Sequence, residues 1–141
     1  MKIGFTGTQQ KITEAQANAL LELLQKLNPT ECHHGDCVGA DTAFHIIAAY
    51  LDKVIIIHPP ANEYKRAFNN SSKTVIKESK AYLVRNKDIV NETDLLIAVP
   101  SGEEVLRSGT WSTVRYARKN KKRIYIIIPN GTINEELHDV I

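Results

Sequence analysis

The sequence predicts an α/β fold: a single Rossmann-like domain whose mainly parallel sheet is sandwiched between helices. Three observations carry that expectation. Short runs of branched apolar residues recur along the chain, stretches of helical periodicity separate them, and glycines and small hydroxyl residues gather just after the apolar runs. The 141 residues are 43% apolar and 24% charged, the size and proportions of one globular domain rather than of a fibrous or disordered chain.

The first apolar run is Ile3 to Phe5. Thr13 and Gln16 then form a capping-box signature ahead of Leu20, Leu23, Leu24 and Leu27, which share one helix face, and Asn28-Pro29 ends that helix. Thr30 to His34 is a weaker strand candidate because it is polar. Phe44, Ile47, Ala48 and Leu51 mark a second helix, and Val54 to Ile57 the next strand. Pro59-Pro60 and the polar stretch through Ser72 read as a long surface connection. A third helix is expected from about Tyr82 to Asn91, a strand at Leu95 to Val99, a fourth helix from Gly109 to Asn120, and a last strand at Ile124 to Ile128. Residues 129–141 are left as a carboxyl-terminal tail of one domain spanning 1–141.

Composition also bounds function. No apolar run approaches the roughly 20 residues of a membrane span, and MKIGFTGTQQ turns polar too early for a secretory signal. Two neighbouring cysteines make no disulfide framework, so a cytoplasmic location without a membrane partner is expected. The net charge is only +2, yet six basic residues fall between Arg115 and Arg123 with no acid among them.

In a parallel sheet of this kind the ligand lies beyond the carboxyl ends of the strands. The loop after the first strand, Thr6-Gly7-Thr8-Gln9, offers a glycine for close backbone approach and two hydroxyls, but not the dinucleotide fingerprint. The second loop, HHGDCVGADTAFH, holds Gly35, Asp36, Gly39 and Asp41, with His45 four residues beyond Asp41 on the same helix face. Asp41 and His45 could hold a ribose, act as an acid–base pair, or bond each other. Cys32, His33, His34 and Cys37 invite a zinc site, but neighbouring strand residues point to opposite faces and no second ligand pair exists, so no metal and no cofactor are expected. The fourth loop is the most informative. Ser108 is a natural N-cap, Gly109 leaves its amide open, and the hydroxyls of Thr110 and Thr113 complete a seat for phosphate. Arg85-Asn86, early in the third helix, could add a guanidinium fork.

These segments together resemble a known family. Arg85-Asn86, the strand LLIAVP and the run RSGTWSTVRYARKNKKRIYIIIPNG are similar to the Rossmann core of the DNA-processing protein A (Smf) family, and HHGDCVGADTAFH to its glycine-rich, Asp-bearing loop. More broadly the chain resembles the SLOG superfamily, which includes the lonely-guy phosphoribohydrolases and small stand-alone proteins of the YspA kind. The resemblance implies a phosphate or nucleotide site, with Arg85, Gly109, Thr110 and Thr113 at the phosphate end and Gly35, Asp36 and Asp41 at the sugar or base end. It departs from the lonely-guy pattern where it matters for catalysis: Thr113 stands where that pattern has its glutamate. Glu103 and Glu104, in the longer preceding loop, and Asp41 are the remaining candidate catalytic groups.

The expected function is binding of a nucleotide or nucleotide-derived small molecule, as a sensor or carrier that forms a homodimer. The first alternative is an enzyme of phosphoribohydrolase type. The second is a single-stranded DNA-binding module using Arg115, Arg118, Lys119, Lys121, Lys122 and Arg123, although aromatic platforms for bases are scarce.

Overall fold

A computed structural model describes residues 1–137 of the chain. Its elements in order are β1 (Lys2–Gly7), α1 (Glu14–Leu27), β2 (Glu31–His34), α2 (Ala40–Tyr50), β3 (Val54–Ile57), a 3-10 turn at Glu63–Lys65, β4 (Thr74–Ile76), α3 (Tyr82–Asn91), β5 (Leu95–Val99), α4 (Gly109–Lys119), β6 (Arg123–Ile127) and β7 (Ile133–Glu136). The α/β expectation holds. The strands make one seven-stranded sheet in the order β4-β3-β2-β1-β5-β6-β7. Every neighbouring pair is parallel except β6 and β7, which run antiparallel.

Helices cover both faces because the central strands are apolar on both sides. In β5, Leu95, Ile97 and Val99 enter a core with Leu20, Leu23 and Leu24 of α1 and Phe44 of α2. The alternate residues Leu96 and Ala98 enter a second core with Val90 of α3 and Trp111, Val114 and Ala117 of α4. Phe5 and Phe44 stack at 4.3 Å between centroids, locking α2 onto β1. The capping box appears as the sequence implies: Thr13 accepts from the Gln16 amide, and the Gln16 side chain accepts from the Thr13 amide.

Two parts of the chain differ from the sequence reading. The stretch 129–141, taken as a tail, contains β7, which folds back through Pro129, Asn130 and Gly131 so that Ile133 pairs with Ile127. Its residues are mostly polar because it lies at the sheet edge, so no apolar run announces it. The rest of that stretch, 138–141, lies outside the described residues. Shortly after the long connection, β4 adds a three-residue strand to the other edge. No helix among the described residues is long and apolar enough to cross a membrane.

From β1 the chain moves outward to β4, then returns to lay β5 on the opposite side of β1. That reversal opens a crevice at the carboxyl ends of β1 and β5, where Gly7 pairs with Val99.

Candidate functional site

A cleft of about 820 Å³ occupies this crevice. Gly7 and Thr8 form one wall, the loop from Pro100 through Glu103 and Arg107 another, and Ser108, Gly109 and Thr110 the floor. Ser108 caps α4 by accepting from the Trp111 amide at 3.2 Å. The amides of Gly109 and Thr110 carry no hydrogen bond among the described residues, as expected for the first turn of a helix. Two cations, Lys65 and Arg107, line the same cleft without an ion pair among the described residues. The helix dipole, the open amides and these two charges all favour an anion.

Tyr82, the first residue of α3, joins this cleft to a smaller hollow. Its phenol lies against Gly109 so closely that a Cβ there would meet the hydroxyl oxygen at 1.8 Å. A side chain at this position would therefore have to push the tyrosine aside. The hollow, about 20 Å³, is lined by Thr6, Gly7, Gly35, Asp41, Tyr82, Arg85 and Asn86 among others. Arg85 is only 2% exposed. Its guanidinium donates to the carbonyls of Gly35 and His58, the latter at 3.0 Å, and Nε donates to Asn86 Oδ1 at 2.7 Å. Arg85 thus braces the ends of β2 and β3. The Asp41 carboxylate accepts from the Cys37 amide at 3.0 Å, and burial pushes its pKa up to about 6 against that bond and the nearby Arg85 charge. Burial likewise raises the Cys37 thiol.

The sequence candidates therefore divide. Gly7, Thr8, Glu103, Ser108, Gly109 and Thr110 line the cleft, while Thr6, Gly35, Asp41, Arg85 and Asn86 lie around the hollow beside it. Five others line neither. Asp36, fully buried, accepts from Arg66 Nε at 3.0 Å and from the Asn69 amide and side chain at 2.9 Å each, anchoring the loop after β3. Gly39, with φ at 90°, caps α2. Thr113 donates to the Gly109 carbonyl at 2.8 Å within its own helix. Glu104 accepts from Arg115 and Arg118 outside the cleft. His45 bonds His34 and Ser71 rather than Asp41.

Lys65, Tyr82, Arg107 and Trp111 line the cleft without having been singled out for it from sequence. Arg107 precedes the N-cap directly, a position that could have flagged it. Lys65 arrives from the long connection after β3 and Tyr82 from a helix start with no capping side chain, so neither carried a sequence signal. The basic block is largely occupied. Arg118 pairs with Glu104 and Glu136, Arg123 with Glu135 and Arg115 with Glu104, while Lys122 donates to the Thr93 carbonyl at 2.7 Å. Cys32, His33, His34 and Cys37 do not converge: Cys32 enters the α1–α2 core and His34 packs edge-on to Phe44, whereas His33 stacks on His58.

No protein-family model matches the chain, and no curated protein matches it by sequence. Among solved structures it is similar to the molybdenum cofactor binding protein from the phototrophic bacterium Rippkaea orientalis. The TM-score is 0.67 and the identity 21%, covering 90% of this chain and 76% of that one. At that identity the likeness is one of fold.

Proposed function

We propose that the cleft binds a phosphate-bearing small molecule of the nucleotide class, and that the protein serves as a sensor or carrier for it. The observation that carries this reading is the pair of amides at Gly109 and Thr110, without a partner among the described residues and opening into a cleft that also holds Arg107 and Lys65. The phosphate sits on those amides, flanked by the two cations. The remainder of the ligand extends along Gly7 and Thr8 toward Tyr82. The resemblance to the SLOG superfamily supports a nucleotide-derived ligand. The similarity to a protein named for binding molybdenum cofactor supports a carrier role and adds that cofactor to the candidates.

Mass spectrometry of small molecules that co-purify with the protein, together with a molybdenum assay, identifies the ligand directly. A nucleotide without molybdenum is the expected result. With nucleoside monophosphates as probes, Arg107→Ala is expected to weaken binding about tenfold or more, since it removes a hydrogen bond to a charged group. Unchanged affinity in that variant would place the phosphate elsewhere.

A hydrolytic reading is favoured by one observation, the presence of Glu103 on the cleft wall. Against it, Thr113 is turned into α4 and offers no carboxylate. Incubation with purine and pyrimidine monophosphates is expected to release no free base. Release that disappears in Glu103→Gln would establish an enzyme instead.

A further inference from the structure

A second cavity of about 220 Å³ lies near the ends of β2 and β3, bounded by His58, Lys77, Glu78, Asp88 and Glu92 and backed by Arg85. Beside it two buried imidazoles face each other, with His33 Nδ1 2.8 Å from His58 Nε2. The other ring nitrogen of His33 lies 2.8 Å from Glu31 Oε1. A carboxylate there holds the His33 proton on Nε2 and leaves Nδ1 as a lone pair, the arrangement by which an outer carboxylate orients a metal-bound histidine. The third group is Glu92, at the carboxyl end of α3. One ligand atom from each of His33, His58 and Glu92 falls within 4.8 Å of the others.

We propose that His33 Nδ1, His58 Nε2 and the Glu92 carboxylate form a binding site for a divalent transition-metal ion, with water from the adjoining cavity completing the coordination. Two imidazoles and one carboxylate suit zinc, whose bonds to nitrogen are about 2.0–2.1 Å. Seating zinc between the two nitrogens requires them to part by about half an ångström for a tetrahedral angle. His58 then carries its proton on Nδ1. Glu92 must also leave Lys77, which holds it at 2.5 Å. The lysine side chain is 44% exposed and has Glu78 beside it in the cavity wall, so it has somewhere to go. The three ligands come from β2, the end of β3 and the end of α3. An ion here would clip the outer half of the sheet to the helix that positions Tyr82. None of these ligands lines the nucleotide cleft, so the test does not depend on that reading.

The experiment uses tag-free protein stripped with a chelator and titrated with Zn(II), followed calorimetrically and by thermal unfolding. One equivalent is expected to bind, and free zinc at a hundredfold excess over Kd to raise the midpoint by about 5–10 °C. His58→Ala is expected to abolish binding. Glu92→Gln, which keeps the shape of a side chain that is 36% exposed, is expected to weaken it tenfold or more. Co(II) in place of zinc should give the intense visible bands of a four-coordinate site. Absence of saturable zinc uptake by the folded protein would overturn the proposal. So would uptake that survives Glu92→Gln at full affinity or is lost in Cys37→Ser.

Discussion

Tyr82 and Gly109 illustrate how two residues from different helices fix one another. The phenol fills the space a Cβ would take, and the Arg85 guanidinium lies over the ring, 5.0 Å from its centre. Gly109→Ala is therefore expected to destabilise the protein by about 1–3 kcal/mol through overpacking. Adding Tyr82→Ala should recover part of that loss, a coupling that urea unfolding of the two single variants and the double variant would measure. Asp41 gives a second expectation at this scale. Its pKa rises from 3.8 to about 6 on folding because it is buried. A carboxyl with a raised folded pKa supports the folded state most fully below its unfolded pKa, and that support is lost as pH climbs through about 6. Asp41→Asn, which keeps an acceptor for the Cys37 amide, should gain on the wild type between pH 4 and 7 by roughly 2–3 kcal/mol. Thermal midpoints of both proteins across that range provide the check. Sequence alone brought Asp41 and Gly109 forward because loops after buried strands carry function. It could not show Arg85 turned inward, since whether a guanidinium meets solvent or three acceptors depends on the neighbouring strands.

Elements were most legible where periodicity and caps agreed. Thr13 and Gln16 marked the start of α1 and also tie it to the sheet: Gln16 Nε2 donates to the carbonyls of Pro100 and Ile127 at 2.8 and 3.0 Å. Pro100 begins the cleft loop, so this helix cap also holds one wall of the site. Thr13→Ala is expected to cost about 1 kcal/mol, the usual value of a lost cap. Gln16→Ala should cost more, because it also strands two buried carbonyls. Chemical denaturation would rank the two. Strands β4 and β7 escaped for the opposite reason: one is too short to show alternation, and the other carries a single apolar residue, Ile133. The Asn130-Gly131 pair before β7 was a readable hairpin signal. It lacked an apolar run beyond it to give it weight.

At the scale of the whole molecule, two cores on opposite faces of one sheet hold the strands whose ends frame the cleft. β5 feeds both, which is why its five residues are all buried. The alternation of apolar runs and helical faces was enough to place that sheet and its crevice, because layer architecture follows from which surfaces must be covered. The division into cleft and hollow was not readable, since it depends on Tyr82 crossing from α3 to α4. We expect the protein to form a homodimer, and light scattering after size exclusion should then give twice the 15.8 kDa chain mass. A mass of one chain would overturn that expectation.

The two rims of the sheet have a bearing on how the protein behaves when crowded. At one rim β7 presents Glu135 and Glu136, held by Arg123 and Arg118. At the other, β4 is three residues long and bracketed by Lys73 and Lys77. An extended segment from another chain that approaches either side meets paired or like charges before it finds a run of free backbone groups. Sheet growth from molecule to molecule is thereby discouraged at both ends. Among the described residues, short edge strands and charged side chains are what oppose pairing between molecules.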